Sequence, residues 1–343
     1  MLRLGVIFGG RSSEHEVSLM SAASVLRVID ETVYDVIKIG ITKKGDWLRY
    51  EGTPDKIENG QWEKEAEPFS IDKLKETVDF AFPVLHGMYG EDGTIQGLFE
   101  MLDIPYAGCG VLASSVAMDK ALARDVFRRN GLPMCGHRLI TLPATDEELN
   151  RDIEEITKEM KFPLFVKPAN AGSSVGITKV KAKEELKKAV REAEKYDARI
   201  LVEEGVNCRE LESGVIGNRE LTVSTVGEIL PSADFYDYTA KYFDGGQTRI
   251  CVPADISDEL REEIRTLAAK AYKAIDCSGF ARVDFFYDKD NKRVLLNEIN
   301  TIPGFTAFSM FSKLFEASGL TYREQIERII ELGYERYNAK NNR

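Results

Sequence analysis

GFARVDFFYDKDNKRVLLNEINTIPG, Gly279 to Gly304, decides how the rest of the chain is read. Two runs rich in apolar and aromatic residues flank a polar turn, Tyr287 to Lys292, which is the pattern of a β-hairpin. Side chains alternate faces along a strand, so Arg282 shares a face with Asp284, and Glu298 shares one with Asn300. If Asp284 lies opposite Glu298, Arg282 falls opposite Asn300, and the four polar groups project together. Two carboxylates that close repel and raise each other's pKa unless a cation lies between them. Asp, Glu and Asn form a hard-oxygen set that suits Mg²⁺, which completes its shell with water and phosphate oxygens. The hairpin therefore predicts a magnesium platform for a phosphate-bearing substrate. The alternative is a structural hairpin in which Arg282 pairs with an acid.

At 343 residues the chain is long enough for two or three compact domains. A net charge of −11 argues against nucleic acid or an anionic membrane as the main partner, so an anionic substrate must meet a local basic pocket. The five cysteines include no CxxC pair and the three histidines stand apart, which indicates neither a disulfide framework nor a zinc site and fits a reducing cytoplasm. The apolar run that opens the chain is too short for a signal segment or a membrane span.

Leu2 to Phe8 reads as a strand buried on both faces, followed by Gly9-Gly10 and a helix to about Ile29 opened by a Ser13/Glu16 capping box. Strand, glycine turn and helix make a nucleotide-fold type of opening, although GxGxxG and the P-loop pattern are both missing. Strands at Tyr34 to Ile41 and Val78 to Leu85 follow, the second running into a glycine-rich loop that begins at His86. That position gives His86 a functional reading beside the structural one usual for a lone histidine. A continuous helix is predicted from Val111 to Asn130, with Met118-Asp119-Lys120 inside it. Lys167 lies near the end of the apolar strand Pro163 to Pro168 and must reach an anion or solvent. The small-residue loop after it, Ala169 to Gly176, carries Ser173 and Ser174 and offers N–H groups and hydroxyls to phosphate. A long aromatic-rich loop, Ala233 to Thr248, is expected to fold over a site, and the helix from Tyr322 to pack as a core element.

Taken together, GGRSSEHEVS (Gly9 to Ser18), LHGMYGEDGTIQG (Leu85 to Gly97), MDK (Met118 to Lys120), VKPANAGSSVG (Val166 to Gly176), FYDYTAKY (Phe235 to Tyr242), ARVD (Ala281 to Asp284) and NEINTIPGFT (Asn297 to Thr306) closely resemble the D-alanine:D-alanine ligases of the ATP-grasp superfamily. The resemblance runs over nearly the whole chain. It implies three α/β domains: a nucleotide-fold-like (pre-ATP-grasp) domain at 1–108, then a two-domain ATP-grasp fold at 109–203 and 204–343. It also implies ATP-driven joining of two D-alanine molecules through an acyl phosphate, for peptidoglycan precursors. Further implications are a cytoplasmic homodimer with no membrane insertion, and two Mg²⁺ ions, replaceable by Mn²⁺, on Asp284, Glu298 and Asn300.

Residue by residue, the resemblance puts Lys120, Lys167, Ser173, Ser174 and Lys241 at the nucleotide phosphates. The adenine edge goes to backbone groups of Glu203 and Val206, and the ribose to Glu210. Arg282 and the N–H of Gly304 would meet the developing oxyanion. Glu14 would take the first ammonium and be linked through Ser173 to Tyr242. Ser309 would bind the second carboxylate beside Met310, with His86 near the reacting groups. The sequence departs from the family at Gly205, where some members carry a bulky aromatic, and around Phe308 and Met310. Tyr242 argues against a D-lactate acceptor and Met310 weakly against D-serine. The other readings are a different ATP-grasp carboxylate–amine ligase and a non-catalytic nucleotide-binding module.

Overall fold

The computed structural model describes residues 1–172, 175–230 and 249–341. Its strands are β1 (Leu2–Gly9), β2 (Tyr34–Ile41), β3 (Trp47–Tyr50), β4 (Glu67–Pro68), β5 (Phe80–Val84), β6 (His137–Thr141), β7 (Leu164–Pro168), β8 (Thr178–Val180), β9 (Arg199–Glu204), β10 (Cys208–Gly217), β11 (Leu221–Leu230), β12 (Arg249–Cys251), β13 (Phe280–Asp288) and β14 (Arg293–Asn300). They form three sheets, in the orders β4-β3-β2-β1-β5, β6-β9-β7-β8 and β12-β11-β10-β13-β14.

In the first sheet β1 lies parallel to both β2 and β5, as the buried apolar runs predict. The interval between β2 and β5 holds more than a polar connection, because β3 and β4 extend the sheet antiparallel through it. Gly9 and Gly10 turn the chain out of β1 at φ of 87° and 100°, values that L side chains rarely adopt. The helix that follows spans His15–Leu26, and its N-cap is Glu14, without a side-chain bond to the helix. The predicted Ser13/Glu16 capping box does not form, since the position is occupied by Glu14 and Glu16 pairs with Lys43 instead.

The predicted helix from Val111 to Asn130 is in fact two, Val111–Met118 and Lys120–Arg129. Asp119 adopts φ −86° and ψ 99° and its carboxylate accepts the N–H groups of Ala121 and Leu122 at 3.1 and 2.9 Å. An Asp that satisfies the first orphan donors of a helix ends the preceding one. Both helices pack in one apolar cluster with β10, β13 and β14, through Ala113, Phe127, Leu211, Val283 and Leu296.

The final helix, Tyr322–Asn341, returns to the beginning of the chain. Ile326, Ile329, Ile330 and Leu332 are buried against Leu4, Val6 and Phe80 of the first sheet. Burying each such side chain is worth about 1.5–3 kcal/mol. Arg336 on this helix stacks on the Tyr106 ring at 3.9 Å and donates to Gly108 O and to Ser278 Oγ, the latter at 3.2 Å. Beneath it Gly108 and Gly279 cross so closely that a Cβ on Gly279 would lie 2.9 Å from Gly108 Cα.

Candidate active site

The β13–β14 register pairs Asp284 with Glu298 and Arg282 with Asn300, as the alternation predicts. The ladder shifts by one residue just beyond Asp284, and such bulges re-aim side chains at functional sites. All four residues line a cavity of about 550 Å³ between the three sheets. Glu14, His86, Lys120, Lys167, Glu203, Val206, Glu210, Gly304, Ser309 and Met310 line it as well. Ser173, Ser174, Lys241 and Tyr242 lie outside the described residues.

On the hairpin, each acid meets a resident cation. Arg282 donates from Nε to Asp284 Oδ1 and from Nη2 to Oδ2, both at 2.7 Å, while Asn300 Nδ2 donates to Oδ2 at 2.9 Å. Lys120 Nζ lies 3.6 Å from Glu298 and donates to Ala171 O at 2.8 Å. Lys120 owes its place to the Asp119 cap, because it is the first residue of the helix so started. Asp119 also pairs with Arg199 on β9, which ties the second sheet to that helix. Among the described residues no three His, Cys, Asp or Glu side chains group as a metal cage. Two carboxylates and an amide are nonetheless a fitting set for Mg²⁺ shared with phosphate oxygens.

Lys167 and Glu203 are both buried and joined at 2.8 Å, and Glu203 also pairs with Arg124. Burial would raise the Glu203 carboxyl, but Arg124 and Lys167 outweigh it and hold it below the usual range. The side chain of Glu203 thus anchors Lys167 at the cavity wall. Gly205 beyond it has room for no more than a hydrogen, since a Cβ would sit 2.9 Å from both Phe165 and Pro163 O.

On the opposite wall Glu14 is buried at the N-cap of its helix, with a Cβ on Gly172 predicted to meet Glu14 Oε2 at 3.0 Å. Only backbone can come so near, so the glycines there serve the carboxylate. The His86 ring is sandwiched between Ile302 O, 2.9 Å from Nδ1, and Ser21 Oγ, 3.0 Å from Nε2. Burial lowers its pKa, with the charge of Glu14 opposing. Ser309 Oγ accepts the N–H of Thr306 at 3.0 Å, and Met310 packs with Ile229 and Leu314 at the cavity edge.

Residues that the sequence reading passed over complete the site. Glu212, buried on β10, faces Asp284 in register, and its Oε2 lies 2.7 Å from Arg282 Nε. Glu91 accepts N–H groups from Gly87 and Ile302 and is pushed up to about 8, chiefly by burial and then by the charge of Glu14. Ser18, Ser21 and Ser24 repeat every three residues along the first helix. Ser18 accepts the N–H of Gly9 at 2.7 Å, Ser21 that of Phe305 at 3.3 Å and Ser24 that of Ala307 at 3.0 Å. Hydroxyls at that spacing on an apolar helix were the available signal.

Residues 3–109 match the family described as D-ala D-ala ligase N-terminus, and residues 126–331 the D-ala D-ala ligase C-terminus. A D-alanine–D-alanine ligase of Acetivibrio thermocellus is 47% identical over 364 residues, covering 98% of this chain and 96% of that protein. One of Thermoanaerobacter pseudethanolicus is 47% identical over 356 residues, covering 98% of each. Among solved structures, the VanG D-Ala:D-Ser ligase of Enterococcus faecalis superposes with a TM-score of 0.88 at 38% identity, over 97% of this chain and 99% of that one. The D-alanine–D-alanine ligase of Coxiella burnetii gives a TM-score of 0.87 at 35% identity, over 99% and 96%. With both halves of the family matched and near-complete coverage by relatives, the chain belongs to the D-alanine–D-alanine ligase family.

Proposed function

We propose that the chain joins two D-alanine molecules into D-alanyl-D-alanine with cleavage of ATP to ADP and phosphate, as a step in peptidoglycan precursor synthesis. It is an ATP-dependent ligase of α/β architecture acting on small molecules. The observation that carries the substrate reading is the facing of two walls across one cavity: Glu14 on one side, and the Arg282, Asp284, Glu298, Asn300 face on the other.

In this reading the carboxylate of the first D-alanine attacks the γ-phosphorus, ADP leaves, and the amine of the second D-alanine then displaces phosphate from the acyl phosphate. Lys120 and Lys167, with Ser173, Ser174 and Lys241, bind the phosphates; Glu203, Val206 and Glu210 take the nucleoside. Glu14 holds the first ammonium, linked through Ser173 to Tyr242, and Ser309 beside Met310 receives the second carboxylate. Arg282 and the Gly304 N–H meet the oxyanion where negative charge develops. Asp284, Glu298 and Asn300 would hold two Mg²⁺ ions, or Mn²⁺ in their place, which neutralise phosphate charge when bound. His86 lies near the reacting groups, with its ring held between Ile302 O and Ser21 Oγ.

The working units are proposed as 1–108, 109–203 and 204–343, in a cytoplasmic homodimer. No helix among the described residues is long and apolar enough to cross a membrane. A D-serine acceptor is the second reading, favoured by the likeness to the VanG ligase. Phosphate release with ATP and Mg²⁺ across D-alanine, D-serine, D-lactate and L-alanine, singly and in pairs, separates these. Release that ignores D-amino acids would overturn the proposal, and release greater with D-alanine plus D-serine than with D-alanine alone would favour the second reading.

A further inference from the structure

Pairing across β10, β13 and β14 sets three carboxylates in one row, Glu212 beside Asp284 and Asp284 beside Glu298. The neighbouring row is Gly214, Arg282 and Asn300. Directly opposed side chains on one face lie about 4.5–5.5 Å apart, so the row of acids concentrates negative charge at the cavity floor. Two of the three were legible in the hairpin, whereas Glu212 enters from a strand more than sixty residues earlier. It is 5% exposed, as deeply placed as Asp284 at 8%.

Arg282 stands between two of these acids. Its Nε is 2.7 Å from Asp284 Oδ1 and 2.7 Å from Glu212 Oε2, while Nη2 holds Asp284 Oδ2. Asn300 holds Oδ2 too, so both oxygens of Asp284 are engaged by the protein's own donors. A divalent cation on Asp284 competes with the Arg282 fork for the same carboxylate, with repulsion between the two positive charges favouring a looser fork. A guanidinium only 18% exposed still loses favourable pairing if it leaves one acid without another to receive it. Glu212 is already at contact distance to receive it.

We propose that Glu212 is a positioning residue that takes the guanidinium of Arg282 from Asp284 when the hairpin is loaded. Freeing Asp284 and aiming Arg282 are then a single movement between two adjacent cross-strand rows. The inference rests on the reading of Asp284, Glu298 and Asn300 as cation ligands. Gly214, opposite Arg282, adds no side chain to the path, and Phe315 and Phe311 close in behind it, at 2.5 and 3.3 Å from where its Cβ would be. The guanidinium therefore moves along the row of acids and not behind it.

The test is a binding measurement on the full chain with Mn²⁺ as probe in the presence of ADP, following the free-Mn²⁺ paramagnetic signal. Wild type, Glu212→Gln, Arg282→Ala and the double variant form a cycle. In the Arg282 background Glu212→Gln is expected to weaken Mn²⁺ binding about tenfold, because the guanidinium stays on Asp284 and competes. In the Arg282→Ala background the same change is expected to have little effect. Equal weakening in both backgrounds would mean that Glu212 acts only through its charge on the cation, and would overturn the proposal; so would no weakening in either. If Glu212→Gln does not fold, Glu212→Asp carries the same comparison, with weakening again confined to the chain that keeps Arg282. Wild type that binds no Mn²⁺ with ADP would instead sink the cation reading of the hairpin, and this inference with it.

Discussion

Glu91 accepts the backbone N–H of Ile302 at 3.1 Å across 211 residues of sequence, while its other oxygen holds the N–H of Gly87 at 2.9 Å. One carboxyl group thereby joins the loop after β5 to the turn that leaves β14. Glu91→Gln presents an NH₂ to one of those two donors. A buried donor left without an acceptor costs about 1–3 kcal/mol, so the variant is expected to unfold at lower denaturant and to show a raised KM for D-alanine. An unchanged midpoint and KM would remove Glu91 from the site's support.

The same residue sets a pH dependence. Its carboxyl is raised from 4.5 to about 8 in the folded chain, so between those values the folded state holds a proton that the unfolded state has lost. The stability this contributes is complete below pH 4.5 and is lost as pH rises through about 8. Denaturant titrations from pH 5 to 9 should show wild type losing stability with rising pH more steeply than Glu91→Gln. Parallel slopes would refute the assignment.

Arg282→Ala is expected to lower kcat by about 10²- to 10³-fold with ATP affinity largely intact, the pattern of a donor used in the transition state. Steady-state kinetics with ATP and D-alanine decide it. Near-normal turnover would show that Arg282 serves only the hairpin's ion pairs with Asp284 and Glu212.

Asp119 joins two tasks that substitution can separate. Asp119→Asn keeps a capping oxygen but loses the pairing with Arg199, whereas Asp119→Ala loses both. The alanine variant should be less stable by about 1 kcal/mol from the cap alone. Both should raise KM for ATP through displacement of Lys120, the alanine variant more. Equal KM values across all three proteins would separate Asp119 from the phosphate end of the cavity.

Gly279→Ala would put a methyl group 2.9 Å from Gly108 Cα at a φ of 73°. Left-handed strain and backbone overlap together are expected to cost about 1–3 kcal/mol, read as a lower melting temperature. A variant that melts with wild type would mean that the two backbones separate easily there.

How far the sequence could be read depended on where each partner lies along the chain. The hairpin face was legible because Arg282, Asp284, Glu298 and Asn300 obey one short period within one turn's reach. Glu212 was not, since nothing local announces that β10 pairs with β13 at that register. The break at Asp119 was hidden because Met118-Asp119-Lys120 sits in an unbroken helical pattern, and a cap shows itself only when the backbone turns. Glu91 was hidden for the reverse reason: glycines and His86 mark its loop, whereas its acceptor role depends on an amide 211 residues further along the chain. The two partners of the His86 ring, Ile302 O and Ser21, come from elements distant in sequence, so its loop could not announce them, and the structural and functional readings of His86 both stand.

The return of the helix Tyr322–Asn341 to the first sheet ties together parts of the chain that are far apart in sequence. Ile326, Ile329, Ile330 and Leu332 belong to the same cluster as Leu4, Val6 and Phe80, so that sheet lacks part of its cover until this helix has docked. A folding intermediate with that apolar face bare invites association with other chains. Weakening the helix is therefore expected to make refolding more prone to aggregation than its distance from the cavity would suggest.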